Sequence, residues 1–319
     1  MKILLTGGAG YIGAITAKHL ESKGYEVLVY DHFSSHTPGK LGHTPYVKGG
    51  LLDPRTLEKT LSSFHPDLVM HFAAYIQMGE SVENPRKYYD NNFIGTLSLI
   101  ESMVKVGCHK LVFASTAGVY GNPTKLPIPE DHAKEPENPY GETKLATERL
   151  LKWYDKAYGF KSISIRFFNA AGATAELGED HHDESHIIPR IIDAQLQDKE
   201  FALFGNDYKT PDGTCVRDYI HVLDLAEAFR LAGEKLMTGA ATTAYNAGTG
   251  HGYSNLEIVK MVESVSGRTV KIKFEPRRPG DANELVADVS RIKSELGWKP
   301  EHSELESIVK SAYLWHSKK

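Results

Sequence analysis

Three polar side chains have the types and the spacing of a proton-transfer site. Asn138 and Pro139 predict a helix start, as N-cap and first-turn proline, so Tyr140 and Lys144, four residues apart, lie on one helical face. Thr116 adds a hydroxyl after an earlier predicted strand. A free tyrosine has a pKa near ~10, and lowering it by ~3 units needs roughly 4 kcal/mol of preferential anion stabilisation. We expect the neighbouring ammonium and the helix N-terminus to supply part of it.

A glycine-rich turn lies ahead of this set, between the first predicted strand and a helix. Gly7, Gly10 and Gly13 let the backbone approach a pyrophosphate, which the helix N-terminus attracts. Asp31 follows 18 positions after Gly13, where a carboxylate accepts hydrogen bonds from an adenosine ribose and repels a 2′-phosphate. The turn therefore predicts NAD rather than NADP. The positive nicotinamide ring is then a third source of stabilisation for the phenolate.

The alternation of apolar segments predicts the elements that position these residues. Buried strands rich in Val, Ile and Leu alternate with helices, which indicates an α/β fold with a doubly wound parallel sheet of the Rossmann type. We assign residues 1–170 to this NAD-binding domain. Residues 171–319 form a smaller α/β lobe that binds the substrate, and strands returning to the first sheet would blur the boundary. The predicted strands are Lys2–Thr6, Glu26–Tyr30, Asp67–Phe72, Lys110–Ala114 and Ser162–Phe167, and the predicted helices are Tyr11–Lys23, Pro54–Ser63, Pro85–Val106, Pro139–Tyr158, Leu223–Leu236 and Asn255–Ser266.

Composition excludes several other classes of protein. The net charge of -4 provides no basic field for nucleic acid. Apolar runs are too short for a membrane span or a secretory signal, so we expect a cytoplasmic protein. Cys108 and Cys215 are too few for a disulfide framework or a cysteine metal site. His181, His182 and His186 fall in a polar segment without helical i, i+4 pairing, so we expect a solvated loop and no metal.

Several further runs make the chain resemble a known family. They are Gly7–Gly13, Gly79–Ser81, Tyr88–Asn92, Val119–Gly121, Pro139–Lys144, Arg166–Gly172, Phe204–Tyr208 and, most specific of all, Asp212–Val222. Over essentially its whole length the chain resembles the UDP-glucose 4-epimerases, in the extended branch of the short-chain dehydrogenase/reductase superfamily. The resemblance implies a tightly held NAD, a UDP-hexose substrate, and a catalytic set of Thr116, Tyr140 and Lys144.

The resemblance also implies a mechanism. Tyr140 takes the proton of the sugar 4-hydroxyl while the C4 hydride passes to NAD, and the resulting 4-keto sugar turns over before the hydride returns. Thr116 would bridge the substrate oxygen and Tyr140, and Lys144 would hold the nicotinamide ribose. The implied cofactor-binding residues are Gly7, Gly10, Tyr11, Ile12, Gly13, Asp31, His32, Ser35, Leu51, Phe72, Ala73, Ala74, Asn92, Tyr140, Lys144 and Phe168. The implied substrate-binding residues are Thr116, then Asn169, Arg217 and Arg278 at the diphosphate, Asp281 at the uridine ribose, His186, Ile187, Ile188, Ala202, Leu203 and Phe204 at the uracil, and Leu285.

Related activities define the alternatives. Sugar-nucleotide 4,6-dehydratases carry an Asp-Glu pair where this chain has Ala117 and Gly118, which disfavours that elimination. A UDP-uronic acid 4-epimerase or decarboxylase stays open, as does a non-catalytic NAD-sensing protein, although sensors typically lose the tyrosine or lysine.

Departures from the family pattern concern the adenine contact and substrate breadth. Gly50 stands where relatives often carry an acid for adenine, and Asp53 comes three positions later. Leu285 is intermediate in size between the tyrosine of hexose-restricted enzymes and smaller residues. We therefore expect activity on UDP-glucose and UDP-galactose, extending to UDP-N-acetylhexosamines. The resemblance also implies a homodimer, formed through the helices predicted at Pro85–Val106 and Pro139–Tyr158.

Overall fold

Seven strands form the central sheet of the computed structural model, which describes residues 1–181, 184–277 and 281–318. In all, the described residues form thirteen strands, which are β1 (Lys2–Thr6), β2 (Glu26–Asp31), β3 (Tyr46–Lys48), β4 (Leu68–His71), β5 (Lys110–Thr116), β6 (Lys161–Phe167), β7 (Asn169–Ala171), β8 (Phe201–Phe204), β9 (Val216–His221), β10 (Thr243–Ala247), β11 (Gly252–Ser254), β12 (Ile272–Glu275) and β13 (Glu284–Leu285). The large sheet has the order β10-β6-β5-β4-β1-β2-β3. β1 pairs in parallel with β2 and β4, and the β2–β3 and β4–β5 pairs are also parallel. The predicted Rossmann arrangement is confirmed.

The helices begin and end at recognisable sequence signals. They are α1 (Tyr11–Ser22), α2 (Pro54–Phe64), α3 (Met78–Glu83), α4 (Pro85–Tyr88), α5 (Gly95–Lys105), α6 (Pro139–Tyr158), α7 (Ile187–Leu196), α8 (Val222–Met237), α9 (Asn255–Ser266), α10 (Ser290–Leu296) and α11 (Leu305–His316). In α6, the Asn138 side chain accepts a hydrogen bond from the Gly141 N–H at 2.9 Å, and Gly159 ends the helix with φ of 65°. Asp53 caps α2 by accepting from the Thr56 N–H at 3.2 Å. A contact between adenine and residues near Gly50 stays a prediction.

The helix predicted at Pro85–Val106 is interrupted by a π-helical turn. α4 ends at Tyr88, the wider turn covers Tyr89–Ile94, and α5 continues to Lys105. Apolar periodicity does not distinguish such a turn from α-helix, because it changes the winding over only a few residues.

The chain divides into two compact units, each assembled from several segments. The first unit comprises Met1–Val119, Lys134–Arg166 and Ala226–Tyr245, and the second comprises Tyr120–Ala133, Phe167–Leu225 and Asn246–Lys319. The single domain boundary near residue 170 stays a prediction. Among the described helices, none combines the length and the apolar character needed to cross a membrane.

Each unit has its own apolar core. Leu4, Leu111 and Phe113 are fully buried in the first unit, where sheet residues meet the flanking helices. In the second unit, β9 pairs with β7, β11 and β13, and β8 pairs with β12. Ile192 and Ile308 are fully buried in the core of this second unit.

Candidate active site

The glycine-rich turn joins β1 to α1 and leaves the first turn of the helix without a side-chain cap. Gly7 has φ of 71°, and a Cβ there would lie 2.4 Å from the Ala73 backbone nitrogen. A Cβ on Gly13 would lie 2.4 Å from the Gly7 carbonyl oxygen, so both positions exclude a side chain. At Gly10 the nearest atom to a Cβ is 3.4 Å away, so packing of the chain itself does not require that glycine. An uncapped helix start with an open approach at Gly10 fits a pyrophosphate.

Asp31 ends β2 and fixes the glycine turn. One carboxylate oxygen accepts from the Ala9 N–H at 3.0 Å and the other from the Phe33 N–H at 2.8 Å. A carboxylate oxygen accepts more than one hydrogen bond, so both retain capacity for a ribose hydroxyl. His32 and Ser35 lie exposed in the segment after β2. This geometry fits the adenosine ribose of a dinucleotide.

The other residues expected at the cofactor surround this turn. Tyr11 and Ile12 begin α1, and Leu51 is buried ahead of α2. Phe72, Ala73 and Ala74 follow β4 directly, at the carboxyl end of a strand beside the glycine turn. Ligands of doubly wound sheets bind at this end, so the placement agrees with the expectation.

Contacts within the chain hold Asn92 in place, and its contact with the cofactor stays a prediction. Its side-chain oxygen accepts from the Tyr75 N–H and its amide donates to the Tyr75 carbonyl, both at 2.9 Å. The Thr96 hydroxyl donates to the Asn92 carbonyl at 2.6 Å. The oxygen of the same hydroxyl therefore accepts from His71 Nε2 at 2.7 Å. His71 Nδ1 then accepts from the Thr6 hydroxyl at 2.5 Å. Burial lowers the pKa of His71 to about 3, so a neutral imidazole links the end of β1 to the Asn92 turn.

The three candidate catalytic residues come together in the first unit. Thr116 is the last residue of β5, and its hydroxyl lies close enough to that of Tyr140 to oppose the rise in the pKa of the phenol. Tyr140 and Lys144 are buried on α6, whose first turn packs closely on the segment after β5. A Cβ on Gly141 would lie 2.7 Å from the Gly118 carbonyl oxygen, so only glycine permits this approach. The expected juxtaposition of the three side chains is therefore present.

The pKa values of Tyr140 and Lys144 differ from the expectation. Burial raises the pKa of Tyr140 to about 12, against the opposing hydrogen bond from Thr116. Burial also lowers the pKa of Lys144 to about 7. The Lys144 ammonium lies 5.9 Å from the Tyr140 ring centroid and donates to the Ala114 carbonyl at 2.8 Å. Desolvation dominates both shifts, so these residues alone do not lower the pKa of the phenol.

Arg217 is the best-placed candidate for a diphosphate in the second unit. Its guanidinium donates to the Ala282 carbonyl at 2.9 Å and lies 3.5 Å from Asp281. Arg217 therefore forms an ion pair with an acid, and both partners belong to the predicted substrate site. Arg278, the second predicted arginine, lies outside the described residues.

Strand register brings further substrate candidates together in this unit. In the parallel ladders Leu285 lies opposite Arg217, and Asn169 lies opposite Tyr219. Arg217 and Tyr219 are two residues apart on β9, so all four share one face of the sheet. Phe168, the residue before β7, is buried and donates its N–H to the Ala247 carbonyl at 3.0 Å.

The residues expected at the uracil differ in their burial. Leu203 and Ile188 are almost fully buried in the apolar cluster of the second unit. Because side chains alternate along a strand, Ala202 and Phe204 face the side of β8 away from Leu203 and are half-buried. The side chains of Leu203 and Ile188 therefore contribute to the core, and the contact of these residues with uracil stays a prediction. Ile187 and His186 lie half-buried at the start of α7.

Comparison with known proteins identifies the family. A model of the NAD dependent epimerase/dehydratase family matches residues 3–248. The UDP-glucose 4-epimerase of Halalkalibacterium halodurans is 42% identical, over 99% of this chain and 96% of that protein. The chain belongs to the UDP-glucose 4-epimerase family.

Solved structures of this family share the fold throughout. The UDP-glucose 4-epimerase from Brucella ovis in complex with NAD has a TM-score of 0.96 at 42% identity, over 99% of this chain and 98% of that chain. The UDP-glucose 4-epimerase from Bifidobacterium longum in complex with NAD+ and UDP has a TM-score of 0.94 at 36% identity, over 100% of this chain and 99% of that chain.

The sequence did not reveal two groups of buried residues that hold the candidate site in place. The first group contacts the strand β5 next to Thr116. Glu148 accepts from the Ser115 hydroxyl at 2.6 Å and pairs with Arg166 through bonds of 2.9 and 2.6 Å. All three residues are buried. Glu148 continues the helical face of Tyr140 and Lys144 by one more turn, a signal that the sequence contained.

The second support is Asp218, next to Arg217 in the chain. Its fully buried carboxylate accepts from the N–H groups of Thr249, Gly250 and Ala287 at 2.7, 3.0 and 3.1 Å. Burial raises the pKa of Asp218, and the N–H donors oppose this. The contacts hold the strand that carries Arg217 against the segments that flank it. An acid inside the specific run Asp212–Val222 was the available signal.

The loop before α7 also differs from the sequence interpretation. Glu179 is buried with only 5% of its surface exposed, and Glu184, His181 and His186 gather around it. Burial opposes ionisation of Glu179, but the charge on His186 and hydrogen bonds from both imidazoles lower its pKa. The solvated loop expected from composition is therefore wrong for these four residues, and His182 lies outside the described residues.

Proposed function

We propose that this chain is an NAD-dependent epimerase that interconverts UDP-glucose and UDP-galactose through a 4-keto sugar. The observation that supports this most directly is the placement of the Thr116 hydroxyl beside the buried Tyr140, with the buried Lys144 one helical turn further. It occurs in a chain that is 42% identical to a UDP-glucose 4-epimerase along its whole length.

The chain's own residues bind NAD and transfer the proton. When bound, NAD accepts and returns the C4 hydride. The turn at Gly10 and the carboxylate of Asp31 would hold its pyrophosphate and adenosine ribose. Tyr140 takes the proton of the 4-hydroxyl as general base and returns it as general acid, and Thr116 aligns the two oxygens. Lys144 holds the nicotinamide ribose.

The raised pKa of Tyr140 defines what the site must provide. Burial alone keeps the phenol protonated, so a positive charge beside it is needed for it to act as a base. Lys144 and the N-terminus of α6 each provide part of this stabilisation. The positively charged nicotinamide ring, which the family-level comparison supports, provides the rest.

The second unit supplies the anchor for the UDP group. Arg217 presents a planar guanidinium, which binds two phosphate oxygens at once, and Asp281 beside it accepts from the uridine ribose. Asn169 on the neighbouring strand adds an amide donor. Anchoring through UDP leaves the hexose free to turn over, as inversion at C4 requires.

Leu285 sets the breadth of substrates. It lies opposite Arg217 in the β9–β13 ladder and is half-buried. Its side chain is shorter than tyrosine, so a 2-acetamido group has room beside it. Turnover of UDP-N-acetylgalactosamine, followed by NMR, tests this point. Leu285→Tyr should reduce that turnover selectively, and complete absence of activity on the acetamido sugar in the wild type would contradict the proposal.

The chain forms a homodimer through the helical segment predicted at Pro85–Val106 and through α6. Exposed apolar side chains support this: Trp153 exposes 64% of its surface, Tyr158 53% and Ile94 44%. Apolar side chains that are exposed in one chain become buried when a partner covers them, which favours an interface here. Light scattering should give twice the chain mass, and Trp153→Glu should give the monomer. A monomeric wild type at micromolar concentration would contradict the dimer. A cytoplasmic location likewise stays a prediction.

Incubation with UDP-galactose tests the function directly. Purified chain supplied with NAD should convert it to UDP-glucose, as separated by chromatography. Tyr140→Phe should lower kcat by roughly 10²–10⁴-fold. Tyr158→Phe, on the same helix but 53% exposed, is the matched control and should keep full activity.

Two outcomes would overturn this assignment. Turnover of UDP-glucuronate but not of UDP-galactose would assign the chain to the uronic-acid enzymes. Binding of NAD without turnover of either sugar nucleotide would indicate a sensor.

A further inference from the structure

The loop that leads into α7 gathers four side chains with the chemistry of metal ligands. One oxygen or nitrogen each from Glu179, His181, Glu184 and His186 lies within 4.8 Å of the other three. His186 Nδ1 is 2.8 Å from Glu179 and 3.0 Å from Glu184. His181 Nδ1 is 3.4 Å from the same two carboxylates.

Two of these separations equal the edges of a tetrahedral site. Zinc binds imidazole nitrogen and carboxylate oxygen at about 2.0–2.2 Å, so ligand atoms around a tetrahedral ion are about 3.3–3.6 Å apart. The two separations from His181 are 3.4 Å and those from His186 are shorter, at 2.8 and 3.0 Å, while no two of the four ligand atoms are more than 4.8 Å apart. A small movement of side chains would therefore admit an ion at their centre.

The two carboxylates of the cluster need positive charge beside them. Within the described part of the chain, the charged partners of the two carboxylates are these two imidazoles. With both imidazoles neutral, two negative charges would share a site in which Glu179 is buried, at a large desolvation cost. Either a proton on each imidazole or one divalent ion balances them, and metal binding requires the neutral imidazoles.

The donor set distinguishes among the metals. Magnesium and calcium prefer six or more oxygen ligands, whereas two imidazoles with two carboxylates suit zinc. Four protein ligands leave no open position, which is typical of a structural rather than a catalytic site. Glu184 also accepts from the His186 N–H at 2.8 Å, immediately before α7 begins, so an ion would fix the start of that helix.

We propose that Glu179, His181, Glu184 and His186 form a structural site for Zn²⁺ that orders the loop before α7. The site is independent of the proposed hydride chemistry, because all four ligands lie in the second unit and none is a proposed proton-transfer residue. His186 also belongs to the predicted uracil site, so occupancy by the metal would hold that residue in place.

Metal titration of the full chain tests the proposal. Protein stripped with a chelator is titrated with Zn²⁺ against a chromophoric competitor, and Co²⁺ is then substituted. We expect one ion per chain and the intense visible absorption of four-coordinate Co²⁺. A wild-type chain that binds no Zn²⁺ in the competition assay, or Co²⁺ with a six-coordinate spectrum, would overturn the site.

Variants connect the binding to these residues. His181→Ala and the isosteric Glu184→Gln should each weaken Zn²⁺ affinity at least about tenfold. His43→Ala removes an exposed histidine of the first unit and should leave the affinity unchanged. Circular dichroism identifies variants that remain folded, and Glu184→Gln retains the size of the side chain it replaces. Equal affinity in the wild type and both loop variants would overturn the proposal.

Discussion

Replacing Lys144 by methionine should stabilise the protein while removing its activity. The buried ammonium has its pKa lowered from 10.5 to about 7, and such a shift corresponds to roughly 4–5 kcal/mol of destabilisation at neutral pH. Methionine has a similar volume without the charge. The Ala114 carbonyl loses a donor at 2.8 Å, and this loss reduces the expected gain in stability by about 1 kcal/mol. The net gain in the free energy of unfolding should be about 3 kcal/mol at pH 7.

The pH dependence of that gain follows from proton linkage. Between pH 7 and 10.5 the folded chain binds fewer protons at Lys144 than the unfolded chain does. The wild type therefore gains up to about 1.4 kcal/mol of stability per pH unit in this window, and Lys144→Met does not. Urea unfolding at about pH 7.5 and about pH 9.5, with matched NAD content, should show the advantage of the variant shrinking by about 2–3 kcal/mol.

A control separates this effect from general changes of charge. Lys152→Met lies on the same helix with its side chain exposed, so it should change stability little at either pH. A Lys144→Met variant that is less stable than the wild type at about pH 7.5, or whose advantage does not change with pH, would refute the reasoning.

Three further changes test the supporting structure by urea unfolding. Glu148→Gln should lower the free energy of unfolding by about 3 kcal/mol, because Arg166 loses its buried carboxylate; an effect below about 1 kcal/mol would contradict this. The pKa of His71 is lowered from 6.5 to about 3, so the wild type should lose stability by up to about 1.4 kcal/mol per pH unit below pH 6.5. The His71→Gln variant should lose less stability over the same pH range. Parallel plots of stability against pH for the variant and the wild type would show that His71 does not cause the loss. Asp53→Ala should lower the urea midpoint through loss of the α2 cap, and an unchanged midpoint would contradict that role.

The sequence predicted the elements that carry strong local signals. The alternation of apolar strands with helices determined the Rossmann sheet, and Asn138 with Pro139 marked the start of α6, where the structure has it. The glycine turn and Asp31 were predictable because their roles depend on backbone conformation and fixed spacing.

Features that depend on packing between distant segments were not predictable in this way. The Glu148–Arg166 pair joins α6 to β6, and nothing local distinguishes a buried carboxylate from a solvated one. Leu203 and Ile188 resemble pocket residues by position, but alternation along the strand and the helical face direct them into the core. The raised pKa of Tyr140 likewise follows from its burial, which spacing does not report.

In the proposed reaction, hydride leaves C4 of the sugar and returns to the same carbon. UDP-galactose deuterated at C4, incubated in ordinary water with the chain and NAD, tests this by NMR of the product. We expect UDP-glucose that retains deuterium at C4, because the hydride never exchanges with solvent. Product carrying hydrogen from water at C4 would contradict it.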